Sequence, residues 1–296
     1  MKVVACENLI KTQGQLKTLN DVSFSIEENT ITGLIGRNGA GKTTLLKILA
    51  GFWRGTSGDV KVFAESPFNN LLVSANAIYI DDQMDFSTAL TIKEILDEAG
   101  RFYEKWDRDL AQRLFDYFSF HPKQIHQNLS KGKKSTFNMI IGLASRCALT
   151  MFDEPTTGMD TAVRKDFYRA LLKDYIAHPR TIIISSHHLE EVEDLLEDVL
   201  LLESGKKHLH LPMDVLKEYA VGLTGRTEII LQWTYHKEII YQKNMDHDTT
   251  YVVVKNDYFP LEQAKRLGIK ISPVPASDLC VYLTNKTKGG IDDVFK

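Results

Sequence analysis

Apolar residues fall into short runs in the first part of the chain, and their period predicts strands. Residues 22–26 alternate apolar and polar positions, which is typical of a strand with one buried face. Residues 31–35 form a mostly apolar run, which is typical of a fully buried strand. Similar runs predict further strands at residues 2–5, 59–63 and 77–80. This part of the chain is therefore predicted to be rich in strands.

The apolar period then becomes helical. Between residues 92 and 103, apolar side chains recur at the spacing of one helix face. Thr91 precedes this segment, and Glu94 completes the pattern of a capping box with it. Residues 110–118 show a second amphipathic helix. We therefore predict a helical subdomain over about residues 87–145.

Strand patterns return at residues 148–152 and 181–185, and an amphipathic helix is predicted between them. A strand, a crossover helix and a second strand form a right-handed parallel unit. The predicted fold class is therefore α/β, with a mixed-sheet core and a helical subdomain.

The pattern after residue 205 predicts a hairpin and a short helix up to residue 220, followed by a small α+β extension. We expect two domains, at residues 1–222 and 223–296. The segments predicted in the extension are strands at 228–233 and 251–254, a helix at 261–267 and a strand at 279–284.

Composition limits the possible functions. The chain has 296 residues and a formal net charge of −3, which argues against a protein that binds nucleic acid chiefly by neutralising phosphates. Its cysteines, Cys6, Cys147 and Cys280, are isolated in the sequence, so we expect a reducing compartment and no metal-binding pair. The longest apolar runs are shorter than the ~20 residues that span a bilayer.

A glycine-rich loop connects the strand at residues 31–35 to a predicted helix. Glycines let the main chain approach a triphosphate closely, so several backbone N–H groups can converge on its phosphates. Lys42 is placed to reach the β- and γ-phosphates, and the Thr43 hydroxyl is placed to bind Mg²⁺. The residues predicted to bind the phosphates are Gly36, Arg37, Asn38, Gly39, Ala40, Gly41, Lys42, Thr43 and Thr44.

Two carboxylates follow the predicted strand at residues 148–152. Asp153 is placed at the carboxyl end of this strand, where open α/β sheets bind ligands, and is a candidate ligand of Mg²⁺. Glu154 is the candidate general base for an attacking water. Together with the upstream loop, this pair predicts nucleotide hydrolysis.

With these motifs and others in the same order, residues 1–220 resemble the nucleotide-binding domain of the ATP-binding cassette (ABC) family, a type of P-loop NTPase. Gln83 matches the family's Q-loop glutamine, and residues 129–133 occupy the place of the signature motif. Residues 157–160 match the D-loop, and His187 matches the switch histidine. Within the family, the chain is most similar to ATPases of bacterial efflux transporters of the YtrB and bacitracin-resistance types.

The resemblance implies roles for residues around one bound ATP. Glu154, His187 and Gln83 are expected to be catalytic, with His187 contacting the γ-phosphate. Thr43, Gln83 and Asp153 are expected to bind Mg²⁺. The implied cofactors are therefore ATP and Mg²⁺.

The resemblance also implies that a second chain completes the site. Ser130 and the N–H of Gly132 would donate to the γ-phosphate bound by the opposite protomer, because both lie where a helix is expected to begin. Asp160 in the D-loop would carry contacts between the two sites. The expected partners are a second copy or a homologous ATPase subunit, and an integral membrane permease.

The sequence departs from the family pattern at two places. Lys131 and Lys133 stand where glycine and glutamine are commonest. They either attract phosphate or project into solvent, and we favour solvent because a lysine at a helix N-terminus opposes the dipole. Gln13 stands near the place of the family's adenine-stacking aromatic residue. Phe24 is a possible substitute, but its alternation indicates a core position.

The expected function is an ATP-hydrolysing subunit that dimerises on ATP and energises a separate permease from the cytoplasmic face of the cell membrane. One alternative is a soluble ABC ATPase that acts outside transport. Another is a nucleotide-gated regulatory subunit with weak hydrolysis, because of the altered signature and Gln13. No nucleic-acid partner is expected.

Overall fold

A computed structural model of the protein describes residues 1–256 and 261–284. These residues form two compact units. The first contains Met1–His187 and Glu191–His210, and the second contains His188–Glu190 and the described residues from Leu211 onward. No helix in the described ranges is long and apolar enough to cross a membrane.

The strands of the first unit build two sheets. In chain order they are β1 (Lys2–Gln13), β2 (Leu16–Glu27), β3 (Ile31–Ile35), β4 (Ser57–Val62), β5 (Ala77–Ile80), β6 (Leu149–Asp153), β7 (Thr181–Ser186), β8 (Asp198–Glu203) and β9 (Lys206–Pro212). The smaller sheet has the order β2-β1-β4 and is antiparallel. The larger sheet has the order β5-β6-β7-β3-β8-β9, and its first five strands are parallel.

This arrangement determines where a ligand can bind. Because β6, β7 and β3 are neighbours and run parallel, their carboxyl ends lie along one edge of the sheet. The two sequences predicted to carry chemistry, the glycine-rich loop and the carboxylate pair, both begin at this edge. The topology therefore brings them to the same region.

The helices of the first unit include three that fall inside the predicted helical subdomain. The helices are α1 (Lys42–Leu49), α2 (Leu71–Asn76), α3 (Ile92–Phe102), α4 (Arg108–Tyr117), α5 (Lys131–Ser145) and α6 (Thr161–Ala177). The predicted capping box of α3 is present, because the Thr91 side chain accepts from the Glu94 N–H and the Glu94 carboxylate accepts from the Thr91 N–H.

The second unit has its own antiparallel sheet and core. Its elements are α7 (Met213–Lys217), β10 (Ala220–Arg226), α8 (Thr227–Thr234), β11 (Ile239–Asn244), β12 (Thr249–Lys255), α9 (Leu261–Arg266), β13 (Lys270–Pro273) and α10 (Ala276–Thr284). The sheet order is β11-β12-β10-β13. The strand predicted at 251–254 and the helix predicted at 261–267 are confirmed. The predicted boundary at residue 222 lies inside β10.

Two strand predictions in this unit are wrong. Residues 228–233 belong to α8, and residues 279–284 belong to α10. In α8, Ile230 and Thr234 are buried one helical turn apart, so the apolar residues cover one helix face rather than one strand face. In α10, Cys280 and Thr284 are buried at the same spacing. A short apolar run fits either period, and here tertiary packing favours the helix.

Candidate functional site

The glycine-rich loop is fixed between neighbouring backbone segments. Gly41 has a φ of 105°, and a Cβ at this position would lie 2.7 Å from the Thr18 carbonyl oxygen. Gly205, in the turn between β8 and β9, would place a Cβ at the same distance from that oxygen, and its N–H donates to the Ala40 carbonyl at 3.0 Å. At Gly36 a Cβ would lie 2.5 Å from the Leu202 carbonyl oxygen. Only glycine allows these close approaches.

The residues at the start of α1 fit a phosphate group. Gly41 is the N-cap, no side chain caps the helix, and its first turn has no acidic residue. The unpaired N–H groups and the positive end of the helix dipole are therefore available to an anion. Arg37, Asn38, Gly39 and Thr43 are exposed, Ala40 is buried and Thr44 is half-buried.

Lys42 places a cation inside this loop. Its side chain is only 5% exposed, and its Nζ donates to the Gly36 carbonyl at 2.7 Å. The same Nζ lies 3.2 Å from Oε1 of Glu154. The ammonium thus joins the glycine-rich loop to the carboxylate pair after β6.

Asp153 is held by two hydroxyl groups. It is 6% exposed. Its Oδ1 accepts from Ser185 Oγ at 2.5 Å, and its Oδ2 accepts from the Tyr79 phenol at 2.9 Å. Burial, together with the nearby Asp153 and Asp81 charges, raises the pKa of Tyr79 far above its usual value of 10.0. The phenol therefore stays protonated and remains a donor.

Glu154 leaves the strand in a strained conformation. Its φ is 48°, which is uncommon for a residue with a side chain. Its N–H donates to Ser185 Oγ at 2.9 Å, and its Oε1 lies 3.5 Å from Nδ1 of His187. The carboxylate therefore lies between Lys42 and His187, which brings three of the predicted site residues together.

Gln83 is bonded within its own loop. Its side chain is exposed, and its amide donates to Asp82 Oδ1 at 3.0 Å. Asp82 also pairs with Lys131, whose Nζ lies 3.1 Å from Oδ2. Partial burial opposes ionisation of Asp82, but the bonds from Gln83 and Lys131 lower its pKa overall.

The residues expected to act on a second chain lie at two helix starts. Ser130 is the N-cap of α5 and accepts from the Lys133 N–H. Asp160 is the N-cap of α6 and accepts from the Val163 N–H at 2.9 Å. Gly132 packs tightly, since a Cβ there would lie 2.3 Å from the Gly158 carbonyl oxygen.

The favoured interpretation that the signature lysines project into solvent is wrong for Lys133. Lys133 Nζ donates to the Phe118 carbonyl at 2.6 Å and lies 4.7 Å from the centroid of the Phe120 ring. Phe118 is the C-cap of α4, so this cation satisfies a carbonyl at a helix end. Lys131 is 61% exposed but is paired with Asp82.

The structure also places the two residues considered for adenine. Gln13 is exposed at the end of β1, before Gly14, whose φ is 59°. Phe24 is 8% exposed and belongs to a hydrophobic core cluster, so its predicted core position is confirmed.

Sequence reasoning missed Tyr79 and Ser185. Both occupy apolar strands in which a hydroxyl carries no motif of its own. The available signal was the period of two, because Ser185 lies on the same face of β7 as Ile183, and Tyr79 lies on the same face of β5 as Ala77. That signal becomes useful only once the register with β6 is known.

Comparisons with known proteins identify ATP-binding proteins of ABC transporters as relatives. The ABC transporter family model matches residues 19–157. The ABC transporter ATP-binding protein YtrB of Bacillus subtilis is 32% identical over 202 residues, which are 68% of this chain and 69% of YtrB. The bacitracin transport ATP-binding protein BcrA of Bacillus licheniformis is 28% identical over 219 residues, 73% of this chain and 72% of BcrA. The resemblance stated from the sequence is thereby confirmed.

Solved structures confirm the fold. A structure described as the ATP-binding subunit of an ABC transporter aligns with a TM-score of 0.65 at 21% identity, covering 73% of this chain and 92% of that chain. A dimeric post-hydrolysis state of the ATP-binding cassette MJ0796, bound to ADP and Pi, aligns with a TM-score of 0.62 at 18% identity, covering 71% and 98%.

Proposed function

Because this chain belongs to the ABC transporter family, we propose that it is the ATP-binding and ATP-hydrolysing subunit of a transporter and acts with a membrane permease. The proposal rests on one observation: the Glu154 carboxylate contacts both Lys42 and His187, and it directly follows the buried Asp153. This group lies where the phosphate loop meets the carboxyl end of β6. It offers a cation, a base and a hydrogen-bonding imidazole at one place.

The residues of the site divide the work of hydrolysis. ATP would supply the phosphoanhydride bond to be broken, and Mg²⁺ would supply a divalent charge that stabilises the phosphate charge. Lys42 and the N–H groups of the loop bind the phosphates. Thr43 and Asp153 would hold the metal, together with Gln83, whose amide here donates to Asp82.

Glu154 and His187 act on the attacking water and the γ-phosphate. A carboxylate oxygen of Glu154 takes a proton from the water as the water oxygen bonds to the γ-phosphorus, and the bond between the γ-phosphorus and the bridging oxygen breaks to release ADP. A ring N–H of His187 donates to a γ-phosphate oxygen, while Nδ1 lies beside the Glu154 carboxylate. Because positioning and charge stabilisation dominate this chemistry, donors from a second chain complete the site.

The proposed partner at the nucleotide is a second copy of this chain or a homologous ATPase subunit. Ser130, Gly132 and Asp160 lie at the starts of α5 and α6, and the hydrogen bonds recorded for Ser130 and Asp160 stay within those first turns. The N-terminal turn of α5, which has no acidic residue, suits an anion presented by another chain, whereas Asp160 places a carboxylate at the start of α6. The proposed location is the inner face of the cell membrane, through the permease.

Size-exclusion chromatography with light scattering tests the proposal. We expect Glu154→Gln protein to form a stable dimer in ATP and Mg²⁺ and to turn over very slowly. Lys42→Ala in the same background is expected to remain monomeric, because it removes the phosphate-binding cation. A monomer in saturating ATP and Mg²⁺ would exclude a homodimer.

A pull-down from membranes tests the transport role. We expect it to recover a multispanning protein, and recovery of ribosomes or DNA in its place would exclude that role.

A further inference from the structure

The Asp153 carboxylate is surrounded by hydroxyls from both neighbouring strands. Ser185 of β7 is the direct register partner of Asp153, and Tyr79 of β5 is the partner of Met151, one pleat earlier. Because side chains alternate between faces, Tyr79, Met151, Asp153 and Ser185 all point to the same side of the sheet. The phenol is long enough to cover the remaining distance to Asp153.

These two bonds use one lone pair on each carboxylate oxygen. Ser185 is fully buried and Tyr79 is 9% exposed, so water does not compete for the bonds. Within the described residues, Asp153 forms no ion pair, since Lys42 pairs with Glu154 instead. The hydroxyls therefore stabilise the buried anion and leave its other lone pairs for a cation.

The Tyr79 ring is itself fixed from the side of α1. The Phe52 ring meets it edge to face at 5.6 Å, and Lys47 Nζ lies 5.9 Å from its centroid. Ser185 differs, because its Oγ also accepts from the Glu154 N–H. The Tyr79 phenol donates to Asp153 and also interacts with Asp81, whereas Ser185 contacts both Asp153 and Glu154.

We propose that Tyr79 and Ser185 are positioning residues that hold the Asp153 carboxylate in the orientation that binds Mg²⁺ with the nucleotide. This inference rests on the proposed role of Asp153 as a metal ligand. Outer partners of a metal ligand typically change metal affinity by about 10- to 100-fold when removed. The aromatic ring of Tyr79 contributes to packing, and its hydroxyl sets the metal dependence.

The test compares Tyr79→Phe with a matched loss of a tyrosine hydroxyl elsewhere. Tyr175→Phe is the control, because the Tyr175 phenol donates to Glu197 Oε1 at 2.6 Å, away from the loop. The readout is the ratio of the ATP affinity measured with Mg²⁺ to the ATP affinity measured with EDTA. Each affinity comes from titration with a fluorescent ATP analogue and its displacement by ATP. The titration is repeated at several Mg²⁺ concentrations, and the melting temperature of each variant is measured as well.

We expect Tyr79→Phe to raise the Mg²⁺ concentration for half-maximal binding by about tenfold, with the EDTA affinity unchanged. Tyr175→Phe should leave the ratio at the wild-type value. Ser185→Ala should shift the Mg²⁺ dependence and also slow hydrolysis through Glu154, and Ser185→Thr should restore both. An unchanged Mg²⁺ dependence in Tyr79→Phe and Ser185→Ala would overturn the inference.

Asp153→Asn separates this inference from the proposed function. If Asp153→Asn loses the Mg²⁺ dependence while the two hydroxyl variants keep it, the metal role of Asp153 stands and the positioning role is wrong. If Asp153→Asn also binds like wild type, the metal role of Asp153 is itself wrong. Should Tyr79→Phe fail to fold, the comparison of Ser185→Ala with Ser185→Thr decides the same question.

Discussion

Nζ of Lys42 lies 3.2 Å from Oε1 of Glu154, so the phosphate-binding cation and the candidate base neutralise each other within one group. Lys42 is 5% exposed, and Glu154 is 32% exposed. A phosphate that binds Lys42 must therefore compete with the Glu154 carboxylate. This relationship couples nucleotide affinity to the residue that we propose as the general base.

Removing the Glu154 charge is expected to raise affinity while abolishing turnover. In Glu154→Gln the ammonium is released to the phosphates, so ATP should bind several-fold more tightly. Hydrolysis should fall by about 10²-fold or more, the range for loss of a general base. Isothermal titration and a phosphate-release assay measure the two quantities. Glu65→Gln, at an exposed position, is the control, and turnover at the wild-type rate in Glu154→Gln would contradict the role of Glu154.

Gly132 is expected to tolerate no side chain. In Gly132→Ala the new methyl would lie 2.3 Å from the Gly158 carbonyl oxygen, so the signature or the D-loop must move. We expect a loss of about 1–3 kcal/mol in unfolding free energy and reduced hydrolysis, with ATP binding by the single chain retained. Urea unfolding and nucleotide titration check this.

Gly225→Ala is the matched control, because its new methyl would meet its nearest neighbour at 3.5 Å. It should unfold and hydrolyse ATP like wild type. If Gly132→Ala hydrolyses ATP at the wild-type rate, the close approach of Gly132 to Gly158 is not required for hydrolysis.

The Lys131–Asp82 ion pair is expected to be weak and sensitive to salt. Its side chains are 61% and 28% exposed, so solvent screens the attraction. A double-mutant cycle with Lys131→Met and Asp82→Asn should give a coupling of about 0.2–1 kcal/mol that shrinks at high salt. The Lys61–Asp59 pair, 3.9 Å apart on β4, is the comparison and should give less. A coupling energy that does not change with salt would contradict a solvent-screened ion pair between Lys131 and Asp82.

His126 is expected to make stability depend on pH. Burial lowers the pKa of His126 below 6.5, although its bond to Asn138 opposes the shift. The unfolded chain therefore binds the proton more readily than the folded one. The unfolding free energy should be at its full value above pH 6.5 and should fall as the pH is lowered from 6.5 toward the folded pKa.

His126→Gln should flatten this part of the stability profile relative to wild type. The unfolding free energy is measured with denaturant between about pH 5 and 8, a range that brackets the usual histidine pKa. His121→Gln, at an exposed position, serves as the reference and should keep the wild-type slope. If His126→Gln keeps that slope as well, the pH dependence arises from other groups.

The sequence predicted the site best where function depends on contiguous residues. Lys42 and Thr43 follow their glycines directly, and Asp153 and Glu154 follow one apolar strand, so the motifs carry their own geometry. Tyr79 and Ser185 could not be found in this way. They reach Asp153 across strands that are far apart in the chain, and their alignment depends on register, which only the folded sheet sets.

The second unit shows the same limit in its fold. Ile229, Ile230 and Trp233 fit both a strand and one helix face, and β-branched residues favour the strand on propensity alone. In the structure these residues pack against Val252 and Leu223 from one face of a helix, and this packing outweighs the strand propensity. The first unit was easier, because the change from a period of two to a helical period is long and is marked by the capping box at Thr91.

The backbone contacts of Gly41 and Gly205 with Thr18 have a thermodynamic consequence. A phosphate loop already pressed between β2 and the turn after β8 has little conformational freedom left to lose. Nucleotide association at this loop is therefore governed by the exchange of hydration for N–H and ammonium contacts. Its calorimetric signature should be an exothermic binding with a small change in heat capacity, unlike that of a segment that folds around its ligand.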